Sequence, residues 1–205
     1  MMKVLAITLG VFLLGCVSTP KEGGSNEEIQ PLVVFLVRHA EKVDQSRDPD
    51  LSVEGYSRAD ALALTLADAK IEQVHSSDYI RTRYTAAPVA DLFDLEINLY
   101  DPSDLYTLAG ELEAKGGRHL VVGHSNTTPD LVELLGGEPG PAIVEETEYD
   151  RLYILTIDKE RVNTVLLRYG KPCSSLPRSI SASSLELPQT SASALKSLHT
   201  LGLPG

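Results

Sequence analysis

Residues 33–37, Val-Val-Phe-Leu-Val, form a continuous apolar run that ends directly in Arg38 and His39. An uninterrupted run of mostly β-branched residues is typical of a strand that is buried on both faces, as in a parallel sheet. Residues 118–124, Arg-His-Leu-Val-Val-Gly-His, repeat the pattern and end in His124. The sequence therefore predicts two buried strands that each deliver polar side chains at their carboxyl ends.

Helical patterns separate these strands from two shorter ones. We expect strands at 33–37, 71–75, 95–100 and 118–124, helices at 51–70, 77–93, 102–115 and about 128–136, and a hairpin at 151–170. Ser52 is the predicted N-cap of the first helix and Thr128 that of the last, and Pro88 is expected to kink or shorten the second helix.

Strands that alternate with helices predict an α/β fold. Its sheet is expected to be mostly parallel and flanked by helices on both faces, with the C-terminal hairpin at one edge. Ligands of such sheets bind at the carboxyl ends of the strands. We therefore expect Arg38, His39 and His124 to lie near one crevice.

The first residues have the pattern of a bacterial export signal. Residues 1–15 contain Lys3 followed by an apolar core that is too short to span a membrane. The Leu-Leu-Gly-Cys sequence that ends in Cys16 resembles the lipobox of bacterial lipoproteins, and the resemblance implies that Cys16 is lipidated. An ordinary cleaved signal peptide is the alternative. Residues 16–31 predict a flexible tether, and Val17, where Asp would favour inner-membrane retention, points to the outer membrane.

Residues 32–170 are expected to form the folded domain, and residues 171–205 a low-complexity, disordered tail. With Cys16 lipidated, Cys173 is the only other thiol of the sequence, so no intramolecular disulfide is expected. The net charge of −11 disfavours nucleic acid and anionic membrane surfaces as partners over most of the surface. A basic site must therefore be local.

Four segments that contain arginine or histidine next to predicted strands or helices occur in a characteristic order. They are Leu-Val-Arg-His-Ala-Glu-Lys at 36–42, Leu-Ser-Val-Glu-Gly-Tyr-Ser-Arg-Ala-Asp-Ala-Leu at 51–62, Ser-Ser-Asp-Tyr-Ile-Arg-Thr-Arg-Tyr-Thr-Ala-Ala at 76–87, and Leu-Val-Val-Gly-His-Ser-Asn-Thr-Thr-Pro at 120–129. Together they resemble the histidine phosphatase superfamily, whose fold is phosphoglycerate mutase-like. The resemblance extends from residue 33 to about residue 170.

The resemblance implies that His39 attacks phosphorus and that water hydrolyses the resulting phosphohistidine. Arg38, Arg81 and His124 then bind the phosphoryl group. Phosphoryl transfer needs mainly positioning and positive charge, which two forked guanidinium groups supply. A neutral imidazole with one ring nitrogen held protonated is a competent nucleophile near pH 7. No metal or other cofactor is expected, because the guanidinium groups and the imidazole neutralise the charge.

The general acid that protonates the leaving group is less well defined. In the superfamily it often follows the third strand, and Asp101 occupies that place. Asp104 is more typical of a carboxylate at a helix N-terminus, and Glu145 and Glu146 are alternatives. Ser125 follows the second histidine, so the His-Asp dyad of the acid-phosphatase branch is absent.

The sequence thus predicts an extracytoplasmic phosphatase that is anchored through a lipid on Cys16 and hydrolyses phosphomonoesters. Its expected partners are a phosphorylated small molecule or phosphoprotein and the membrane, with no nucleic acid. A phosphatase of phosphohistidine or phosphoprotein is an alternative, as is a non-catalytic phosphate-binding module of the same fold. A mutase is disfavoured, because the chain has little room for the long insertions of true mutases.

Overall fold

A computed structural model describes residues 31–159 and 161–172. The predicted signal peptide, Cys16, nearly all of the tether and the tail from Cys173 onward lie outside these residues. Among the helices that the structure describes, none is both long and apolar enough to cross a membrane.

Strands and helices alternate along the described chain, as the apolar periodicity predicts. In chain order they are β1 (Leu32–Arg38), α1 (Val53–Thr65), β2 (Gln73–Ser77), α2 (Ile80–Phe93), β3 (Ile97–Tyr100), α3 (Leu105–Lys115), β4 (Arg118–Gly123), α4 (Thr127–Leu134), β5 (Arg151–Asp158) and β6 (Arg161–Arg168). Helix α2 continues through Pro88 to Phe93, so the proline does not shorten it.

The strands form one sheet in the order β3-β2-β4-β1-β5-β6. Strands β1, β4, β2 and β3 are parallel neighbours, whereas β5 is antiparallel to β1 and forms a hairpin with β6 at the edge. The predicted α/β fold, with a mostly parallel sheet and a C-terminal edge hairpin, is therefore confirmed. Because β1, β4 and β2 are parallel to one another, the carboxyl ends of these three strands lie at one edge of the sheet.

Strand β1 is apolar up to Val37 because both of its faces are covered. Val34 and Leu36 pack into the core on the side of α3 and α4. Phe35 and Val37 pack on the other side, against α1 and α2. Fully burying a side chain of this size contributes about 1.5–3 kcal/mol, so the two cores hold β1, and the residues that follow it, in a fixed position.

The start of α4 differs from the prediction. The N-cap is Asn126 rather than Thr128. Two threonine hydroxyls are engaged elsewhere: Thr127 Oγ1 accepts a hydrogen bond from the backbone N–H of His124 at 3.0 Å, and Thr128 Oγ1 donates to the carbonyl of Val37 at 3.3 Å. These bonds tie α4 to the ends of β4 and β1, which explains why Thr128 does not cap the helix.

The start of α1 confirms the prediction and also positions the loop after β1. Ser52 Oγ accepts a hydrogen bond from the N–H of Gly55 at 3.1 Å, as an N-cap does. The N–H of Ser52 donates to the carbonyl of Glu41 at 2.9 Å. A Cβ atom on Gly55 would lie 2.2 Å from that same carbonyl oxygen, so only glycine allows α1 to approach the loop this closely.

Candidate active site

Arg38, His39 and His124 meet at the carboxyl ends of β1 and β4, as the sequence predicts. Arg38 is in register with Gly123, and the N–H of His39 donates to the Gly123 carbonyl at 2.9 Å. The imidazole rings of His39 and His124 lie edge to face, with their centroids 5.6 Å apart. The two histidines, more than eighty positions apart in the sequence, therefore border one small volume.

The guanidinium group of Arg38 is buried and only partly hydrogen-bonded. Its side chain is 1% exposed, and Nη1 donates to the carbonyl of Glu148 at 3.0 Å. The ring of Tyr149 covers the group, with Cζ 4.1 Å from the ring centroid. Nε and Nη2 are buried without a hydrogen-bond partner among the described residues. Because buried donors are almost always paired, this edge of the guanidinium is suited to an anion that is not part of the chain.

Arg58 shows how the same edge of a guanidinium group acts when it is occupied. Its Nε and Nη2 donate to the carboxylate of Glu41 at 2.7–2.9 Å in a forked arrangement. The carboxylate of Glu41 is therefore engaged in an ion pair that fixes the loop after His39. Carboxylates and phosphates accept the two hydrogen bonds of such a fork in the same way. Nε and Nη2 of Arg38 are therefore free to bind an anion as the same atoms of Arg58 bind Glu41.

The ring of His39 is oriented by its own backbone. Nδ1 donates to the carbonyl of Ala40 at 2.8 Å, which leaves the lone pair on Nε2. Burial, together with the positive charges of Arg38 and Arg81, lowers the pKa of His39 to about 2. The imidazole is therefore neutral at physiological pH, which is the state that a nucleophile requires.

Arg81 lies in the first turn of α2, which follows β2, and its guanidinium group reaches His124. Its Nη2 is 3.4 Å from Nδ1 of His124, and its Nη1 is 3.5 Å from a carboxylate oxygen of Asp48. The guanidinium lies over the ring of Tyr79, with Cζ 4.3 Å from the centroid. Nε is buried without a partner among the residues that the structure describes. Arg81 therefore adds a second partly open guanidinium group to the site.

His124 is held between a cation and a hydroxyl. Nδ1 faces Arg81, whereas Nε2 is 2.9 Å from Oγ of Ser77 at the end of β2. Burial, followed by the charges of Arg81 and Arg38, lowers the pKa of His124 to about 4. This ring is also neutral at physiological pH, and it can donate or accept at the phosphoryl-binding face according to its tautomer.

The tyrosines that cover the two arginines were not predicted from the sequence. Tyr149 lies over Arg38, and Tyr79 lies over Arg81. Such contacts are worth about 0.5–2 kcal/mol, depending on desolvation, and they restrict each guanidinium to one plane. Tyr79 precedes Arg81 by two residues, a weak local signal. Nothing in the sequence connects Tyr149 to Arg38.

A buried ion-pair network fixes the segment that holds Arg38. Glu148 forms salt bridges with Arg151 at 2.7 Å and Arg168 at 2.6 Å. Burial alone would raise the pKa of Glu148, but hydrogen bonds from Arg151, from a backbone N–H and from Arg168 lower it to about 2. Arg151 also donates to the Pro141 carbonyl at 2.6 Å. The carbonyl of Glu148 that accepts from Arg38 is therefore part of a rigid frame.

The candidate general acids occupy different environments. The exposed carboxylate of Asp101 accepts hydrogen bonds from the hydroxyl and the N–H of Ser103, and these lower its pKa. A general acid needs the opposite direction. Asp104 is the N-cap of α3, as its sequence position favours. Burial lowers the pKa of Arg38, and Glu145 lies close enough for its negative charge to oppose that shift. The assignment of Asp101 stays a prediction from the resemblance.

A cavity of about 440 Å³ adjoins the site beyond Tyr149. Charged and polar side chains of the loops after β1 and before β5, of α1 and of the last described residues line it, among them Glu54, Ser57, Arg58, Glu146, Tyr149 and Lys171. Its volume is in the range of small-molecule sites.

One family model matches part of this chain. Residues 34–102 match the family model of the histidine phosphatase superfamily (branch 1). None of the curated proteins compared with the chain matches it.

Several solved structures share the fold. The protein histidine phosphatase SixA, solved with tungstate, is 21% identical, with a TM-score of 0.56 over 67% of this chain and 97% of its own. SixA from Agrobacterium tumefaciens is 23% identical, with a TM-score of 0.54 over 69% and 99% of the two chains. A mycobacterial glucosyl-3-phosphoglycerate phosphatase is 14% identical, with a TM-score of 0.52 over 70% and 100%.

Proposed function

We propose that the protein, whose residues 34–102 match the model of the histidine phosphatase superfamily (branch 1), is a phosphatase that hydrolyses phosphomonoesters through a phosphohistidine on His39. One observation carries the proposal. The buried, unpaired edge of the Arg38 guanidinium lies beside a neutral imidazole whose Nδ1 is held protonated. This arrangement combines an anion-binding fork with a nucleophilic nitrogen.

The reaction has two steps. In the first, the Nε2 lone pair of His39 attacks phosphorus, the ester P–O bond breaks, and the leaving oxygen takes a proton. In the second, water attacks phosphorus, the P–N bond breaks, phosphate leaves and the imidazole is regenerated. Arg38 and Arg81 donate to the equatorial oxygens throughout and neutralise their charge. The proposal requires no metal, because the two guanidinium groups supply that charge.

The proton donor of the first step is tested with leaving groups of different quality. If Asp101 is the acid, Asp101→Asn loses about 10²–10⁴-fold on an alkyl phosphate and much less on an activated aryl phosphate. Asp104→Asn and the double variant Glu145→Gln, Glu146→Gln are the controls and show no such dependence. A leaving-group dependence confined to the double variant reassigns the acid to the loop before β5.

A phosphatase of phosphohistidine or phosphoprotein is a second candidate. It is favoured by the environment of Asp101, whose lowered pKa disfavours a strong general acid at the predicted position. An imidazole leaves phosphorus more easily than an alkoxide, so such a substrate makes smaller demands on an acid. The solved structures similar to this chain include a protein histidine phosphatase.

Steady-state hydrolysis separates these proposals. We expect the purified protein to hydrolyse an aryl phosphate, to be inhibited by vanadate and phosphate, and to keep its rate within about twofold in the presence of chelator. Turnover of phosphohistidine alone favours the second candidate. Binding of vanadate without any turnover supports the non-catalytic phosphate-binding module. Loss of activity on chelation, restored by one metal, contradicts the mechanism.

The lipobox-like sequence supports a further part of the proposal, namely that Cys16 is lipidated and anchors the domain outside the cytoplasm, at the outer membrane. The expressed full chain is then expected in the membrane fraction with incorporated fatty acid, and Cys16→Ser releases it or stalls its processing. If the wild-type protein is soluble and carries no lipid, the lipidation proposal is wrong and residues 1–15 act as an ordinary cleaved signal peptide.

A further inference from the structure

Ser77 contacts His124 at Nε2, the ring nitrogen that does not face Arg81. It is the last residue of β2 and is completely buried. Its Oγ is 2.9 Å from Nε2 of His124 and 3.2 Å from Oγ1 of Thr82. The hydroxyl of Thr82 in turn donates to the carbonyls of Ser77 and Tyr79, at 2.8 and 3.0 Å. Ser77 therefore links the second histidine of the site to the first turns of α2.

The direction of each hydrogen bond in this chain follows from chemistry. An arginine side chain has donors and no acceptor, so Nδ1 of His124, which faces Arg81, must carry a lone pair. In the neutral ring the proton is then on Nε2, which donates to Ser77 Oγ. The hydroxyl of Ser77 in turn donates a hydrogen bond to Oγ1 of Thr82, whose hydroxyl donates to backbone carbonyls. Every group has a partner, and only one tautomer of His124 fits.

A bound phosphoryl group reverses this requirement. Its oxygens are acceptors, so Nδ1 of His124 must carry a proton in order to donate to them. If the ring stays neutral, Nε2 then loses its proton and needs a donor. The hydroxyl of Ser77 can rotate from Thr82 to Nε2 and supply that donor. A hydroxyl group both donates and accepts, and the only movement required is about the Cβ–Oγ bond.

We propose that Ser77 is a positioning residue that sets the tautomer of His124, accepting from Nε2 when the site is empty and donating to Nε2 when a phosphoryl group is bound. The inference rests on the proposed function, because it assumes that a phosphoryl oxygen faces Nδ1. It extends that function by a residue that does not touch the substrate. An alanine at position 77 can neither accept a hydrogen bond from Nε2 of His124 nor donate one to it.

Nitrogen-15 NMR of the histidine rings tests the proposal directly. The full chain is labelled in histidine, and His124→Asn identifies the resonances of His124. In the free wild type, Nδ1 is expected to be the unprotonated nitrogen and Nε2 the protonated one. Saturation with vanadate, a phosphoryl mimic, is expected to exchange the two. Unchanged resonances, or protonation of both nitrogens, would overturn the proposal, because Ser77 would then accept in both states.

Kinetics of paired variants give an independent test. Ser77→Ala is expected to lower kcat/KM and vanadate affinity about tenfold, the value of roughly one hydrogen bond, and Ser77→Thr is expected to restore most of the loss. Ser76→Ala is the matched control: Ser76 is equally buried on the same strand, and among the described residues its hydroxyl bonds only to the Ser77 carbonyl. Its kcat/KM should stay within about twofold.

The outcomes separate this inference from the proposed function. If wild-type protein neither binds vanadate nor hydrolyses any phosphate ester, the proposed function fails. If the wild type binds vanadate and hydrolyses phosphate esters but Ser77→Ala has the same kcat/KM, only the proposed role of Ser77 is wrong. If Ser77→Ala does not fold, the vanadate-dependent exchange in the wild type still decides the question.

Discussion

Two pairs of neighbouring histidines lie on strands of this sheet or directly after them, and only one of the pairs is suited to catalysis. His39 and His124 meet at the carboxyl ends of β1 and β4, with ring centroids 5.6 Å apart. His75 on β2 and His119 on β4 lie further back, with centroids 5.2 Å apart and nearly parallel rings. Burial lowers the pKa of all four rings. Proximity, burial and a perturbed pKa therefore do not distinguish the pairs.

The difference lies in what the ring nitrogens contact. Nε2 of His75 is hydrogen-bonded to Nδ1 of His119 at 3.0 Å, and Nε2 of His119 donates to the carbonyl of Gly116 at 2.7 Å. The donors and the acceptor of these contacts are therefore paired within the described chain. At the other pair, Arg38 and Arg81 present buried N–H groups that lack acceptors within the described chain. Unpaired cationic donors next to a histidine, rather than histidine itself, are what indicate a site for an anion.

The largest effect is expected when the nucleophile is compared with its counterpart in the other pair. His39→Asn is expected to lower kcat/KM by on the order of 10³-fold or more, because the bond-forming nitrogen is lost. His75→Asn should leave kcat/KM within about twofold at pH 7.5. Circular dichroism of both variants ensures that folded proteins are compared. Comparable losses in the two variants would mean that the histidines act through the fold rather than through chemistry.

A second comparison uses two arginines on one helix. Arg81 faces His124, whereas Arg83 is more exposed and pairs with Asp78. Arg81→Ala is expected to lower kcat by about 10²–10³-fold, as the loss of one preorganised donor to the transition state does. Arg83→Ala should be near wild type in the same assay. Equal effects would indicate that the net charge of α2, and not the placement of Arg81, supports the reaction.

The buried pair of His75 and His119 is expected to make the free energy of unfolding depend on pH. Burial, followed by the charges of His119 and Lys115, lowers the pKa of His75 from 6.5 to about 4. The unfolded chain therefore binds protons at a higher pH than the folded one, and the free energy of unfolding falls as pH drops from 6.5 towards 4. For His75 the loss amounts to at most about 3 kcal/mol.

Urea unfolding at pH 7.5 and pH 5 measures this loss. His39 and His124 contribute in the same direction, because their pKa values are also lowered. The contribution of His75 is therefore the difference between the wild type and His75→Asn, and the variant should show the smaller pH dependence. Identical dependence in the two proteins would show that His75 is not buried in its neutral form.

The smallest expected effect concerns two glycines. A Cβ at position 55 would lie 2.2 Å from the Glu41 carbonyl, whereas Gly110 on α3 has no atom within 4 Å of a built Cβ. Gly55→Ala is expected to cost about 1–3 kcal/mol and to displace the loop after His39, with a loss of activity. Gly110→Ala should stabilise by about 0.5–1 kcal/mol. Thermal unfolding and kcat/KM of both variants check this, and a neutral Gly55→Ala would contradict the close approach of α1.

Much of the fold was predictable because its signals are local. The apolar run before Arg38 marks a strand buried on both faces, and Ser52 caps the helix that follows the site loop. The convergence of Arg38, His39 and His124 followed from the rule that parallel strands present their carboxyl ends at one edge, whereas the role of Arg81 was implied by the resemblance to the histidine phosphatase superfamily.

Contacts set by tertiary packing were not predictable. Thr128 matches the preferences of an N-cap, yet its hydroxyl bonds to the end of β1, and Asn126 takes the cap position. Tyr149 reaches Arg38 only because a buried ion-pair network fixes its loop. The partner of His124, Ser77, lies on another strand. Such contacts join residues that are far apart in the sequence, so no periodicity or spacing predicts them.

The central claim is that His39 becomes phosphorylated, and trapping of the phosphoenzyme tests it most directly. The protein is mixed with labelled substrate, quenched within milliseconds without acid, and the phosphorylated residue is located by mass spectrometry. We expect an acid-labile, base-stable label on His39 that is present in Arg83→Ala and absent in His39→Asn. A label that persists in His39→Asn, or turnover that proceeds without any phosphoenzyme, would contradict the account.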